Sequence, residues 1–379
     1  MNINFSNEFN LDDDVIYLNH AAVAPWPVRA EKAVNAFCRE NVTIGSKKYA
    51  NWLKVESRLK GQLAELIHAH SADEIALVKN TSEALSFVAY GLTWAKGDNI
   101  VTSDEEFPSN MIPWESLAEQ GVSVKKTPLK DTTDPTARLI EQIDANTRLL
   151  TISSVQYASG LRVDMERLGA ACQQKGVLFC IDAIQSVGAF AVDVQRYQAD
   201  FMMADGHKWL LGPEGLGFFY CRQQTMDKLK LNQFGWHMVE DMGNYDNPLW
   251  ETAHSARRFE CGSPNMLSIH ALSASISLLL DIGMTTVEEN VASRADYTIN
   301  KIQQNKHLTL ITQADPNGNN IVVFNTLNTA DIEPLFNHLT SHGVVCAKRG
   351  GGIRFSAHFY TPDDVIDRAF NLIDNFFKG

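Results

Sequence analysis

From residue 75 onward the chain alternates between short apolar runs and longer segments with helical spacing. Apolar runs at 75–79, 99–103, 148–153, 177–181 and 200–204 are bounded by turn residues and predict buried strands. A short strand is also expected at 122–126, and Gly215-Leu216-Gly217-Phe218-Phe219-Tyr220-Cys221 predicts another, entered through a glycine turn. Helical patterns fall between most of them, which predicts an α/β fold built on a mainly parallel sheet with right-handed crossovers. Upstream, helices are expected at 27–41 and at 49–68; in the second, Tyr49, Trp52, Leu59, Leu63 and Leu66 share one face. Downstream, helices are expected from Pro264 to 282 and over 285–304. Strands at 321–325, 344–347 and 353–356 then alternate with a helix at 330–342. Thr361-Pro362-Asp363-Asp364 reads as a final helix start, with Thr361 as cap.

This pattern divides the chain into an N-terminal segment (1–25) reaching the site, a large domain (26–264) and a smaller α+β C-terminal domain (265–379). Residues 1–14 are expected to be loosely ordered or held only by a partner surface. The stretch 222–264 lacks periodicity and is expected to be a functional loop region or a subunit contact.

Composition narrows the class. The chain has 379 residues, 45% hydrophobic and 21% charged, as an ordinary globular enzyme would. A net charge of −12 argues against nucleic acid or an anionic membrane as the main partner. Six scattered cysteines without a C-x-x-C pair point to reduced thiols, and no apolar run is long enough for a membrane span. A cytoplasmic location is therefore expected. His68 and His70 lack a third ligand nearby in sequence, so no metal is expected.

In a parallel sheet, ligands bind beyond the carboxyl ends of the strands. Unusual residues cluster there: Asn80-Thr81-Ser82, Glu106-Phe107, Gln156-Tyr157, Asp182 and Lys208 each follow a predicted strand. Lys208 stands beside Trp209, Leu210 and Leu211; an amine in apolar surroundings loses preference for its charged form and becomes a nucleophile toward carbonyl carbon. Its bland alternative is a stem lying on apolar surface with the head in water. Asp182 and Gln185 read either as a capping box or as a carboxylate for a ring nitrogen and an amide for a ring oxygen. Asn80-Thr81-Ser82-Glu83 opens a helix, which suits a phosphate but is also an ordinary cap. Phe107 reads as a core residue or as a cover for a flat ring. Arg354, a charge inside a strand pattern, needs either a structural carboxylate or that of a substrate. Together the functional readings describe a flat ring with a basic nitrogen, a phosphate and an aldehyde, which is pyridoxal 5'-phosphate. Walker A and G-x-G-x-x-G patterns are absent.

The residues that carry this chemistry make the sequence resemble the class V aminotransferases, the pyridoxal-phosphate-dependent group that includes cysteine desulfurases, selenocysteine lyases, kynureninase and isopenicillin N epimerase-like enzymes. The resemblance runs from Tyr17-Leu18-Asn19-His20-Ala21-Ala22 to Arg354-Phe355-Ser356-Ala357-His358-Phe359-Tyr360. It is most specific at Ile181-Asp182-Ala183-Ile184-Gln185-Ser186-Val187-Gly188 and Gly206-His207-Lys208. It implies the type I fold of that group, and a Schiff base on Lys208, which later moves the Cα proton. It further implies Asp182 at the ring nitrogen, Gln185 at the ring hydroxyl, Phe107 over the ring, and Thr81, Ser82 and His207 at the phosphate. Ser263 matches a phosphate contact drawn from the neighbouring subunit, which implies a homodimer with shared sites. Arg354 matches the grip on the substrate carboxylate, and His20 stands with it as a substrate-side candidate.

The chain departs from the desulfurases at Asp205, where they carry serine, at Phe107, where they place histidine, and at Tyr157, where asparagine is common. Their nucleophilic cysteine has one candidate here, Cys346, which sits in a strand pattern and so reads as a buried thiol. Transamination of an α-amino acid therefore ranks first, C–S lysis of the desulfurase or selenocysteine lyase type next to it, and epimerisation behind. A non-catalytic pyridoxal-phosphate-binding protein, and a protein binding some other phosphate ligand, are the alternatives from other classes.

Overall fold

The computed structural model describes residues 7–130, 132–246 and 248–378. Near the N-terminus β1 (Ile16–Tyr17) precedes two helices, α1 (Val28–Ile44) and α2 (Tyr49–Leu66). The alternating region follows as β2 (Ile75–Val78), α3 (Thr81–Gly91), β3 (Asn99–Ser103), α4 (Ile112–Glu115), β4 (Ser123–Thr127), α5 (Pro135–Glu141), β5 (Thr147–Ser153), α6 (Met165–Lys175), β6 (Leu178–Asp182), β7 (Phe201–Asp205) and β8 (Gly217–Cys221). The remainder is α7 (Met266–Ile282), α8 (Met284–Gln304), β9 (Leu308–Leu310), β10 (Val322–Thr326), α9 (Ile332–Ser341), β11 (Val344–Val345), β12 (Ala347–Arg349), β13 (Gly352–Phe355) and α10 (Asp363–Phe376).

Seven strands form one sheet in the order β2-β8-β7-β6-β5-β3-β4. All neighbours pair in parallel except β8, which runs against both β2 and β7. Every residue of β3, β6, β7 and β8 is buried, because helices cover both faces; this is why these strands read as unbroken apolar runs. A second sheet, β12-β13-β10-β9, is antiparallel and carries its own core of Val322, Phe324, Ile353 and Phe355 with Ile366 and Phe370 of α10. The fold is thus the expected α/β type I architecture.

Local differences from expectation have physical causes. Met266, Ile269, Leu272 and Ile276 of α7 pack in the large-sheet core with Val287 and Val291 of α8, while Ala295, Ile299 and Ile302 of α8 pack in the small one. No helix starts at Asp182, which ends β6; its Oδ1 accepts from the Ile184 amide at 3.0 Å and closes a tight turn instead. The last helix begins at Asp363 with Pro362 as its cap residue, and Thr361 Oγ1 accepts from the His358 amide. Part of the expectation of a loose 1–14 segment concerns residues 1–6, which lie outside the described residues. Beyond them, Glu8 pairs with Arg29 at 2.9 Å and Phe9 stacks on Tyr360, so the chain holds this segment itself. The 222–264 region consists of loops and short 3-10 turns, exposing Phe234, Tyr245 and Trp250. No single helix among the described residues is long and apolar enough to cross a membrane.

One close approach fixes the segment that carries Lys208. Gly188 has φ +93°, and a Cβ there would stand 2.3 Å from the Trp209 carbonyl oxygen. Gly188→Ala should therefore destabilise the protein by about 1–3 kcal/mol in urea unfolding. Gly61 lies exposed in α2 with open space around its would-be Cβ, so Gly61→Ala should stabilise by about 0.5–1 kcal/mol.

Candidate active site

The carboxyl ends of the central strands deliver side chains into one cavity of ≈ 290 Å³. Its wall combines Asp182 from the end of β6, Lys208 just past β7, Phe107 past β3, Thr81 and Ser82 at the start of α3, and Arg354 from β13. Gln185 and His207 line the same space. Residues spread from 81 to 354 are thus brought together by the sheet order.

Desolvation dominates the electrostatics. Burial pushes the Asp182 carboxyl up to about 7, against the single amide bond from Ile184; the neighbouring Glu106 carboxylate adds to the rise, and the Lys208 amine opposes it. Lys208 is half-buried, and loss of water lowers its amine to about 8. Its Nζ lies 5.8 Å from the centre of the Phe107 ring, which is exposed toward the cavity rather than packed in the core. Arg354 is only 3% exposed; burial lowers it to about 10. It donates to the Tyr157 carbonyl at 2.7 Å and approaches Asn19 Oδ1 at 3.5 Å, yet no carboxylate pairs with it among the described residues. A buried guanidinium without an anion is costly unless one arrives.

At the amino end of α3 the cap reading holds in part. Asn80 Oδ1 accepts from the Glu83 amide at 2.9 Å, while the Glu83 carboxylate accepts from the amide of Lys79, one residue before the cap, at 2.7 Å. The first-turn amides of a helix have no intrahelical partner, and Thr81 Oγ1 is buried without one. Asp205, which would repel a phosphate, lines the same cavity but is tied to its neighbours. Its Oδ1 accepts from the Gly206 amide at 2.8 Å and lies 3.2 Å from His207 Nδ1.

These features fit pyridoxal phosphate. Thr81 Oγ1 and the α3 amides offer unspent donors to a phosphate, and the proton-hungry Asp182 suits a ring N–H. The Lys208 amine is partly neutral near neutral pH, and the Phe107 face is open.

Two expected site residues stand elsewhere. His20 is fully buried behind the cavity wall: the backbone bridge of Asn19 to Ser356 turns it inward. Its Nδ1 meets the Ser356 carbonyl at 2.9 Å and its Nε2 the Tyr360 hydroxyl at 2.7 Å, so no ring nitrogen remains for a substrate. Ser263 lines a separate cavity with Lys79, Glu83 and Cys261. Cys346 is buried and its thiol is pushed up to about 12 by desolvation; it does not line the Lys208 cavity.

The supporting residues carry little signal in sequence. Glu106 is buried and accepts from Asn110 (2.7 Å), Gln156 (2.7 Å) and both the amide (2.8 Å) and hydroxyl (2.5 Å) of Ser153, the ladder partner of Asp182. Its place after a strand marks it, but its donors lie on other strands and loops. Trp209 donates to Gln185 Oε1 at 2.9 Å while Gln185 Nε2 donates to the Ala21 carbonyl at 3.0 Å, which fixes the amide and leaves one N–H free.

Comparison with known proteins gives a consistent picture. The family model for aminotransferase class V matches residues 16–368. A probable cysteine desulfurase from Methanothermobacter thermautotrophicus is 31% identical, covering 93% of this chain and 92% of the relative. A cysteine desulfurase from Yersinia pestis is 30% identical, covering 82% of this chain and 78% of the relative. Among solved structures, the cystine C–S lyase C-DES in complex with its product cysteine persulfide superposes with a TM-score of 0.88 at 21% identity, covering 96% of this chain and 98% of that one. The Escherichia coli cysteine desulfurase CsdA does so with a TM-score of 0.87 at 21% identity, covering 99% and 97%.

The raised Asp182 pKa sets a sign for stability. Protonation favours the folded form, so the contribution is full below the ordinary aspartate range and is lost as pH rises through about 7. Asp182→Asn should therefore keep or raise the melting temperature of the cofactor-free protein at pH 8.5, measured by calorimetry. The same change should weaken retention of pyridoxal phosphate in dialysis.

Proposed function

We propose that this chain, which belongs to the class V aminotransferase family and is a pyridoxal-phosphate-dependent enzyme, is a C–S lyase that cleaves the Cβ–S bond of a cysteine-type amino acid. The sequence ranks transamination first; the curated relatives bear the names of C–S-cleaving enzymes, which favours the second of its readings. The observation that carries the proposal is the meeting of a low-pKa lysine, a buried carboxylate and an anion-free arginine in one cavity that none of the described cysteines lines.

When bound, pyridoxal phosphate supplies an aldehyde for amines and a ring that takes up the electron pair released at Cα. The side chains around it have separable tasks. Thr81, Ser82 and the first-turn amides of α3 would hold its phosphate. Asp182 would keep the ring nitrogen protonated, and the fixed Gln185 amide has an N–H to offer the ring oxygen. Phe107 would shield the ring from water. Arg354 grips the α-carboxylate through its free N–H groups, and this orients the Cα–H bond. Lys208 Nζ, in its neutral form, accepts the Cα proton.

With that proton on Lys208, the Cβ–S bond breaks and sulfur departs with its electron pair. Hydration of the remaining three-carbon fragment gives pyruvate and ammonia. Persulfide transfer to the enzyme would need a thiolate at the cavity, and Cys346 is a buried thiol outside it. Release of sulfur to solution follows. Ser263, outside the cavity of its own chain, fits a homodimer in which it serves the partner's phosphate. The same reading places the enzyme in the cytoplasm.

Lys208→Ala should lose the visible absorbance of the bound cofactor and slow pyruvate release by about 10²–10⁴-fold. Cys346→Ser should retain most of the rate, with pyruvate and reduced sulfur appearing in equal amounts. Alanine as the main product, lost in Cys346→Ser, would instead identify a persulfide-forming desulfurase. Arg354→Ala should raise KM for the amino acid while the cofactor spectrum persists.

A further inference from the structure

A second buried carboxylate stands behind the cavity wall, and the chemistry above gives it no task. Glu106 follows β3 and is buried, and among the described residues no lysine, arginine or histidine pairs with it. Hydrogen-bond donors converge on it instead. Oε1 accepts from the Ser153 amide at 2.8 Å and the Gln156 side-chain amide at 2.7 Å, with the Ser103 hydroxyl at 3.4 Å. Oε2 accepts from the Asn110 side-chain amide at 2.7 Å and the Ser153 hydroxyl at 2.5 Å.

The directions of these bonds are fixed. A backbone N–H only donates, and so does the Trp114 indole, which meets Asn110 Oδ1 at 2.9 Å. Thr151 donates to the same oxygen at 2.8 Å, so the Asn110 amide is locked with its NH2 toward Glu106. Each Glu106 oxygen therefore meets one donor that cannot be reversed. An ionised carboxylate accepts all of these bonds, whereas a proton on either oxygen would turn one of them away. Burial pushes the Glu106 pKa up, and the bonds from Ser153, Gln156 and Asn110 pull against it.

Ser153 is also the ladder partner of Asp182. Such partners point to the same face of a sheet from strands about 4.8 Å apart, so the Glu106 charge is held one strand away from the Asp182 carboxyl. We propose that Glu106 is a positioning residue for the cofactor: a fixed anion that acts through Asp182 to hold the proton shared by that carboxyl and the ring nitrogen of pyridoxal phosphate. Little water screens the two carboxylates, so loss of that proton would leave two buried negative charges facing each other. The ring nitrogen is protonated at lower cost for the same reason. The proposal rests on the placement of the ring nitrogen at Asp182 and is independent of the C–S lyase reading.

The test is equilibrium dialysis of the full chain with pyridoxal 5'-phosphate and with its 1-deaza analogue, in which C–H replaces the ring nitrogen. The wild type should bind the natural cofactor more tightly than the analogue, and Asp182→Asn should abolish that preference. Glu106→Gln should cut the preference about tenfold, the equivalent of one pKa unit, with binding of the analogue unchanged. Glu106→Asp, which keeps the charge, should restore most of it. Ser153→Ala removes a single donor hydroxyl; its smaller loss, again confined to the natural cofactor, gives the same reading should Glu106→Gln not fold. Equal weakening of both cofactors identifies packing alone and overturns the proposal. A preference lost in Asp182→Asn but kept in the Glu106 and Ser153 variants also overturns it, while leaving the ring nitrogen at Asp182. Absence of any preference in the wild type overturns both.

Discussion

The structure depends on keeping ionisable groups out of water without giving them partners. Asp182, Lys208 and Arg354 each suffer the desolvation that ordinarily drives a side chain to find an opposite charge. Asp182 and Lys208 offset each other only in part, and Arg354 rests on carbonyl and amide oxygens. A fold that tolerates such cost must be held by other means. Here they are a sheet buried on both faces and two further hydrophobic cores.

Hydrogen-bond networks supply the stiffness around those charges. Glu106 gathers Ser153, Asn110 and Gln156, and Asn110 in turn accepts from Trp114 and Thr151. The network lies one strand away from Asp182 and joins β3 to β5, while the 107–110 turn hangs from it. On the other side, Trp209 orients Gln185, and His358 holds the Trp209 carbonyl at 3.1 Å. Gln185, which faces the cavity, is thereby set from behind by residues that do not.

The large-sheet strands and most helices were legible in sequence because their signals are local: apolar runs, helical periodicity, caps and glycine turns. Lys208, Asp182, Thr81 and Phe107 were legible as cavity residues because the end of a strand is also a local feature, and Arg354 because a charge inside a strand pattern stands out. What stayed hidden depends on pairing. The placement of His20 is decided by its neighbour's bridge to Ser356, 337 residues on by the numbering of Asn19 and Ser356. That α8 packs in two cores was hidden too, because a continuous helix can serve both and no composition change marks the place. Asp182 followed by Gln185 has the letters of a helix cap, yet the next turn is diverted by the close approach of Gly188 to Trp209.

The two-residue ladder between β1 and β11 is slight, but it lies on a continuous strap. From Phe9 against Tyr360, the N-terminal segment runs along β11, crosses to Ser356, and ends with the Ala24 amide on the His207 carbonyl at 2.7 Å. Ala21, Ala22 and Val23, part of that strap, form one wall of the cavity. A tilt of the antiparallel sheet would therefore drag this wall and the lysine-bearing turn with it. The wall of the cavity and the small sheet therefore share one continuous piece of backbone.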